Sequence, residues 1–239
     1  MISFLEQDDG PLSVFQMPEP GMIYTMGVDA STGLSDDYSV IQILSNTLPF
    51  IQCATFRAKW PVNKVSEMAN MIGRWYNNAL NVCEINYPGN SVQDALLQYY
   101  QYPRNYQRED TLEEDPGISH KYGFRTTENT KWMLIHELQS ALSNKEIKIN
   151  DKNTLYELLN YVYITGRNKA GAAAGFNDDA VIALMLALHG CRLYPIVKQV
   201  DVRKPRHLTD DPDTKRDWRE FRRLLHERIN PKETAEMIL

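Results

Sequence analysis

Tyr24-Thr25-Met26-Gly27-Val28-Asp29-Ala30-Ser31-Thr32-Gly33-Leu34-Ser35-Asp36-Asp37-Tyr38-Ser39-Val40-Ile41-Gln42-Ile43-Leu44 reads as an apolar strand that ends on a carboxylate, a turn cluster, and a second β-branched strand. Strand propensity disfavours Asp, so the acid closing the first run either caps the turn or serves a site. Phe50-Ile51-Gln52-Cys53-Ala54-Thr55-Phe56-Arg57 alternates apolar and polar residues and predicts a third strand, antiparallel to the second. Three strands thus precede the first helix.

Downstream, Pro61 sits well at a helix start, and Val65, Met68, Ala69, Ile72, Trp75 and Tyr76 recur at spacings of three and four, predicting an amphipathic helix through Leu80. Asn81-Val82-Cys83-Glu84-Ile85-Asn86 predicts a short buried strand ending near Glu84, followed by a helix capped by Asn90 or Ser91 and running to about Gln101. Residues 103–124 are polar and broken by Pro103, Pro116 and Gly117, as in a surface excursion. Helical spacing resumes with Trp132, Ile135, Leu138 and Leu142, yields to a fifth strand at Ile147-Lys148-Ile149, and returns with Leu155, Leu158, Leu159 and Val162. After a Gly/Ala-rich turn, Asn177-Asp178-Asp179 leads into an apolar run from Ala180 to Leu188, a buried helix with acids in its first turn.

Upstream of the hairpin, residues 1–21 hold Asp8-Asp9-Gly10-Pro11 and Pro18-Glu19-Pro20-Gly21 and read as a linker or the cut end of a longer protein. The main domain is expected over 22–195, and 196–239 as a charged tail with a short helix through Trp218, Phe221, Leu224 and Leu225. Apolar and charged shares of 43% and 24% are those of an ordinary globular chain, and no apolar run approaches a membrane span. The amino end has neither the basic start nor the apolar middle of a secretion signal. Cys53, Cys83 and Cys191 have no ligand or redox spacing, which fits a reducing cytoplasm and thiols used as core residues. The net charge of −5 argues against phosphate binding by charge alone, yet acids that hold cations make that sum overstate the negativity of a working surface.

Acids therefore stand at element ends in three separated segments: Asp29 after the first strand, Glu84 after the fourth, and Asp178-Asp179 at the start of the buried helix. If the fourth strand flanks the first, Asp29 and Glu84 lie side by side, and a helix packed on that edge brings Asp179 to face them. Carboxylates so close repel unless they share protons or bind cations. Hard oxygen ligands suit Mg²⁺ or Mn²⁺, and two such ions about 4 Å apart perform in-line phosphodiester hydrolysis. Asp37, across the hairpin loop from Asp29, is expected near the same strand ends as a supporting ligand. The bland reading has Asp36 and Asp37 capping a turn and Asp178 capping a helix. Asp179 and Glu84, set among apolar residues, are harder to explain that way.

These residues resemble the nuclease domain of the large terminase subunit of tailed bacteriophages, a branch of the RNase H-like nucleases. The resemblance spans about Gly21 to Gly190 and rests on Tyr24-x-x-Gly27-Val28-Asp29-x-Ser31-x-Gly33 with Asp37-Tyr38-Ser39, on Glu84 closing the fourth strand, on Gly123-Phe124-Arg125-Thr126-Thr127 with Lys131, and on Asn177-Asp178-Asp179. It implies an α/β RNase H-like fold with a mixed five-stranded sheet and helices on both faces. It further implies Asp29, Glu84 and Asp179 as metal-binding catalytic acids, with Asp178 and Asp37 as auxiliary metal ligands or supports. The implied activity is two-metal cleavage of double-stranded viral DNA during genome packaging in the bacterial host's cytoplasm. The ATPase motor, the portal and the small terminase subunit are the implied partners. No Gly-x-x-x-x-Gly-Lys-[Ser/Thr] loop occurs in the chain, so the motor is absent from it.

Arg167 and Lys169, before the acidic helix, are candidates to hold a DNA strand, although exposed turn cations commonly serve solubility alone. Tyr99, Tyr100, Tyr102 and Tyr106 beside Arg104 and Arg108 stack bases or pack the core, the latter being the commoner use. His136 and His189 read as packing residues, and Arg216, Arg219, Arg222, Arg223 and Arg228 as a solvated face. Two rivals stand beside the terminase reading: another RNase H-like nuclease, such as a junction resolvase or transposase, and a non-catalytic DNA-binding or docking module.

Overall fold

The computed structural model describes residues 4–34, 37–108, 122–164 and 169–194. The charged tail, Asp36 and Arg167 lie outside the described residues. The central sheet holds β1 (Leu12–Val14), β2 (Tyr24–Asp29), β3 (Ser39–Ser45), β4 (Phe50–Ala58), β5 (Leu80–Cys83) and β6 (Ile147–Lys148). Its order is β1-β4-β3-β2-β5, with β6 also on β4. Strands β2, β3, β4 and β1 pair antiparallel, whereas β5 runs parallel to β2 and β6 parallel to β4. All five expected strands are present. The sixth, β1, comes from the stretch read as a linker, which is tied down by Phe4 against Trp75 at 4.9 Å between ring centroids and by the Tyr76 hydroxyl donating to Gln16 O at 2.7 Å.

Short elements flank the central strands on either side. The outer side of β4 takes β6 at Phe50 and Ile51 and β1 at Ala54–Phe56. Beyond β5, bridges join Asn81 to Asn105 and Glu84 to Phe124.

The helices are α1 (Val62–Trp75), α2 (Gly89–Asp94) continued by a π-helical turn (Ala95–Tyr99), α3 (Glu128–Ser143), α4 (Lys152–Leu159) and α5 (Asp179–Leu193). Strand alternation sorts the core into two halves. Tyr24, Met26, Val28, Ile41, Ile43 and Cys83 pack with Val65, Ala69, Ile72 and Leu96 on the α1 side. On the opposite face, Leu44, Leu80 and Val82 pack with Leu134, Leu138, Leu184 and Leu188 of α3 and α5. Helices on both faces of a mixed sheet make this the expected RNase H-like α/β architecture.

Three elements differ from expectation. Helix α1 stops at Trp75 because Asn77 and Asn78 adopt φ of 55° and 57°, a left-handed break after which Leu80 starts β5. Helix α4 ends at Leu159, and Val162 belongs to β7 (Tyr161–Ile164), which pairs antiparallel with β8 (Lys169–Ala172). Helix α2 starts at Gly89 behind Pro88, ahead of Asn90 and Ser91. By contrast α5 is as apolar as expected, with every residue from Ala180 to Cys191 buried. No helix among the described residues is long and apolar enough to cross a membrane.

Candidate metal centre

Parity along the strands decides which side chains meet. Thr25, Gly27 and Asp29 alternate with the α1-facing residues and so point toward α5, and Glu84, two residues past Val82, points the same way. Val28 pairs with Cys83, and the Glu84 amide extends the ladder by donating to Val28 O at 2.9 Å. Asp29 and Glu84 are thus neighbours on one face at adjacent strand ends, and their carboxyls are in hydrogen-bonding contact.

Helix α5 is brought against this face by glycines. A Cβ on Gly27 would overlap the Ala183 carbonyl and lie 2.6 Å from Ala187 N, so only glycine admits the helix backbone here. Gly190, two turns further on, lies against Thr25 and Val82 in the same way. One turn before Ala183, Asp179 opens the helix opposite Asp29. Its Oδ2 accepts from the Tyr38 amide at 2.8 Å and from Asn177 Nδ2 at 3.2 Å.

The electrostatics are those of crowded acids. Burial, then Glu84 and Asp179, hold Asp29 well above the ordinary carboxyl value. Burial also raises Asp179, with Asp37 and Asp178 adding to the effect and the Tyr38 and Asn177 hydrogen bonds opposing it. Asp178 occupies the N-cap position of α5 but makes no capping hydrogen bond; it faces Lys131 Nζ at 3.5 Å instead. The cap is provided from another helix, by Glu157 of α4, whose Oε2 accepts from the Ala180 amide at 2.7 Å. Asp37 is exposed, close enough to act on Asp179, and its carbonyl accepts from Ser31 Oγ at 3.1 Å.

Lys131 is delivered by the Gly123–Thr127 segment. Gly123 has φ +82° and sits so close to Ile85 and to Cys83 O that a Cβ there has no room. Phe124 N donates to Cys83 O at 2.7 Å and Ile85 N to Phe124 O at 2.9 Å, which seats the segment beside Glu84. Thr127 then closes a capping box with Thr130 and starts α3, one turn of which reaches Lys131. Lys169 is exposed on β8, and β8 passes Asp178: a Cβ on Gly171 would lie 3.3 Å from Asp178 Oδ2.

Other expected residues fall elsewhere. Tyr102 and Tyr106 are buried, the Tyr102 hydroxyl donating to Ala79 O at 2.6 Å, while Tyr99 is exposed. His189 is buried against Glu137 at 3.1 Å. His136 lies on α3 with its ring 6.2 Å from that of Trp132. The three cysteines are buried thiols, and burial pushes Cys53 up to about 11. Glu157 and Arg57 are the residues the sequence reading passed over; they form a 3.0 Å ion pair, and Arg57 lies 3.9 Å over the Tyr38 ring.

Among the described residues, no three His, Cys, Asp or Glu side chains are gathered closely enough to enclose an ion unaided. Asp29 and Glu84 form a touching pair, with Asp179 held to one side by Tyr38 and Asn177. The donor chemistry fits a hard divalent cation: the donors are oxygens, and the charges acting most on Asp29 are other carboxylates, whose repulsion a cation relieves.

The fold is similar to those of solved large terminase nucleases. That of thermophilic phage G20c with bound magnesium has 20% identity and a TM-score of 0.61, over 77% of this chain and 89% of that one. The cobalt-bound form of the same nuclease gives a TM-score of 0.60 at 20% identity, with the same coverage of 77% and 89%. The large terminase nuclease domain of Thermus phage P74-26 gives 0.58 at 20% identity, over 76% and 86%. No curated protein sequence matches the chain. The model of the terminase RNaseH-like domain matches residues 26–190, which hold Asp29, Glu84, Asp178 and Asp179. With the family model matching more than half of its length, the chain belongs to the terminase RNaseH-like domain family.

Proposed function

We propose that this domain is a metal-dependent endonuclease that cuts double-stranded DNA with little sequence preference during phage genome packaging in the host cytoplasm. The observation that carries the reading is the contact between the Asp29 and Glu84 carboxyls opposite Asp179, in a site whose strongest neighbouring charges are negative. The magnesium and cobalt bound by the G20c nuclease support it by analogy of fold.

Two divalent cations, Mg²⁺ or Mn²⁺, would supply Lewis acidity to the scissile phosphate and acidify the attacking water. Asp29, Glu84 and Asp179 would hold them, Asp29 from between the other two. Tyr38 and Asn177 fix Oδ2 of Asp179 and with it the plane of the carboxylate. Asp178 and Asp37 stand as supports beside Asp179, Asp178 balanced by Lys131. Lys169 would meet the DNA backbone next to the acids, and a phosphate-binding role is proposed for Arg167 as well. Such contacts read phosphate rather than base sequence, so the portal, the small subunit and the ATPase motor would direct cutting.

The test is cleavage of supercoiled plasmid in Mg²⁺ and in Mn²⁺. Nicking and linearisation by the wild type, lost in Asp29→Asn, is the expected result. Intact plasmid in both metals, or equal cutting by Asp29→Asn, overturns the reading. A strong preference for four-way junctions over plasmid moves it to a junction resolvase.

A further inference from the structure

We infer that Glu157 is a positioning residue for Asp179, setting the first turn of α5 so that Asp179 reaches a divalent cation shared with Asp29; the inference rests on the metal-dependent reading above. Glu157 is 3% exposed, an uncommon position for a charge; its Oε2 is hydrogen-bonded, while Oε1 has an ion-pair contact but no hydrogen bond. Oε2 accepts from the Ala180 amide at 2.7 Å, and Oε1 lies 3.0 Å from the Arg57 guanidinium as an ion pair. Ala180 is the residue after Asp179, and its carbonyl accepts from buried Gln42 Nε2 at 3.3 Å. Both polar groups of this one residue are therefore held by side chains from outside α5, while the Asp178 side chain, the usual source of a cap, is turned to Lys131.

The second oxygen of Glu157 reaches the same target by another route. Arg57 lies over the Tyr38 ring at 3.9 Å, and the Tyr38 amide donates to Asp179 Oδ2 at 2.8 Å. One carboxylate thus fixes the backbone behind Asp179 and, through Arg57 and Tyr38, the hydrogen bond in front of it.

Glu157 is itself held by a buried network at the start of α4. Asp151 Oδ2 accepts from Thr154 N at 2.8 Å and from Thr154 Oγ1 at 2.7 Å. Gln42 Nε2 donates to Thr154 Oγ1 at 2.9 Å, and Gln52 Oε1 accepts from the Asn150 and Asp151 amides at 2.7 Å each. The register of α4 against β3 and β4 is thereby set, and Glu157, one turn on from Thr154, meets α5 at a determined place.

The experiment compares wild type, Glu157→Ala and Glu157→Gln with Asp29→Asn as reference. Mn²⁺ binding is followed by electron paramagnetic resonance, and plasmid cutting by the Mn²⁺ concentration giving half the maximal rate. Glu157→Ala is expected to weaken Mn²⁺ binding and raise that half-maximal concentration by about tenfold, the loss typical when a supporting partner of a metal ligand is removed. Its rate at saturating Mn²⁺ is expected to return toward wild type. Glu157→Gln keeps an acceptor for Ala180 and is expected to recover most of the loss; should the alanine variant fail to fold, Glu157→Met, which fills the space without an acceptor, takes its place. The inference is overturned if the folded alanine or methionine variant binds Mn²⁺ like wild type, or if its cutting falls equally at every Mn²⁺ concentration. Should wild type bind Mn²⁺ without cutting DNA, the nuclease reading fails and the binding comparison alone decides the role of Glu157. Absence of Mn²⁺ binding by wild type overturns both.

Discussion

Gly27 of β2 and Ala183 of α5 meet backbone to backbone, with no space for even a methyl group between strand and helix. Asp29 lies two residues from one side of this contact and Asp179 one helical turn from the other, so the contact sets the gap between the two acids. Gly27→Ala is expected to cost about 1–3 kcal/mol, the usual penalty for overpacking a core. It should also suppress DNA cutting far more than Gly190→Ala, which strains the distant end of the same helix. Thermal unfolding and plasmid cleavage on the two variants check this, and equal losses of activity would refute it.

Raised carboxyl pKa values make the metal-free domain acid-loving. Asp29 and Asp179 stand above 3.8 and Glu157 above 4.5, in each case first through burial, so the folded state holds more protons than the unfolded chain in the window above those values. Stability from these groups is complete below the unfolded pKa values and is lost as pH rises through the folded ones. With chelator present, the unfolding temperature should fall from pH 5 toward pH 8, and added Mn²⁺ should raise it more at pH 8 than at pH 5. A metal-induced shift independent of pH would contradict this.

Asp29→Asn should separate function from stability. Removing one of two touching carboxyls relieves their repulsion, so the metal-free variant is expected to unfold at a higher temperature than wild type at pH 8. Cleavage should fall by more than the roughly 100-fold at the upper end of losses for a mere supporting partner. Calorimetry in chelator and a plasmid assay in Mn²⁺ read the two effects.

Lys131→Met tests the 3.5 Å pair with Asp178, whose side chains are 30% and 29% exposed. So open a pair contributes at most about 1 kcal/mol, and the unfolding temperature should hardly move. If Lys131 acts in the site, cutting should still fall by about tenfold. Activity unchanged within twofold would assign the pair to the surface alone.

The acid arrangement was legible because strand parity is a strict code: once β5 flanks β2 in the register that pairs Val28 with Cys83, Asp29 and Glu84 must share a face. Glu157 was hidden by inverted amphipathicity. Leu155, Leu158 and Leu159 look like the buried stripe of α4, yet Leu155 and Leu159 are exposed and Thr154 and Glu157 are buried. Only partners distant in sequence, Gln42, Gln52 and Ala180, explain that choice. The β7–β8 hairpin was missed for a related reason, since Val162 continues the spacing of the leucines before it. Asn77-Asn78 carried the signal for the end of α1, but Leu80 prolonged the apolar period past them.

The short edges of the sheet have a consequence for self-association. An open strand edge is a template on which a second chain adds its own strand, the route to aggregation and swapped oligomers. Here β1 and β6 share one edge, while the bridges from Asn105 and Phe124 blunt the other. A second chain would find at the first edge only three-residue β1 and two-residue β6 to extend, too short an edge to template a long added strand.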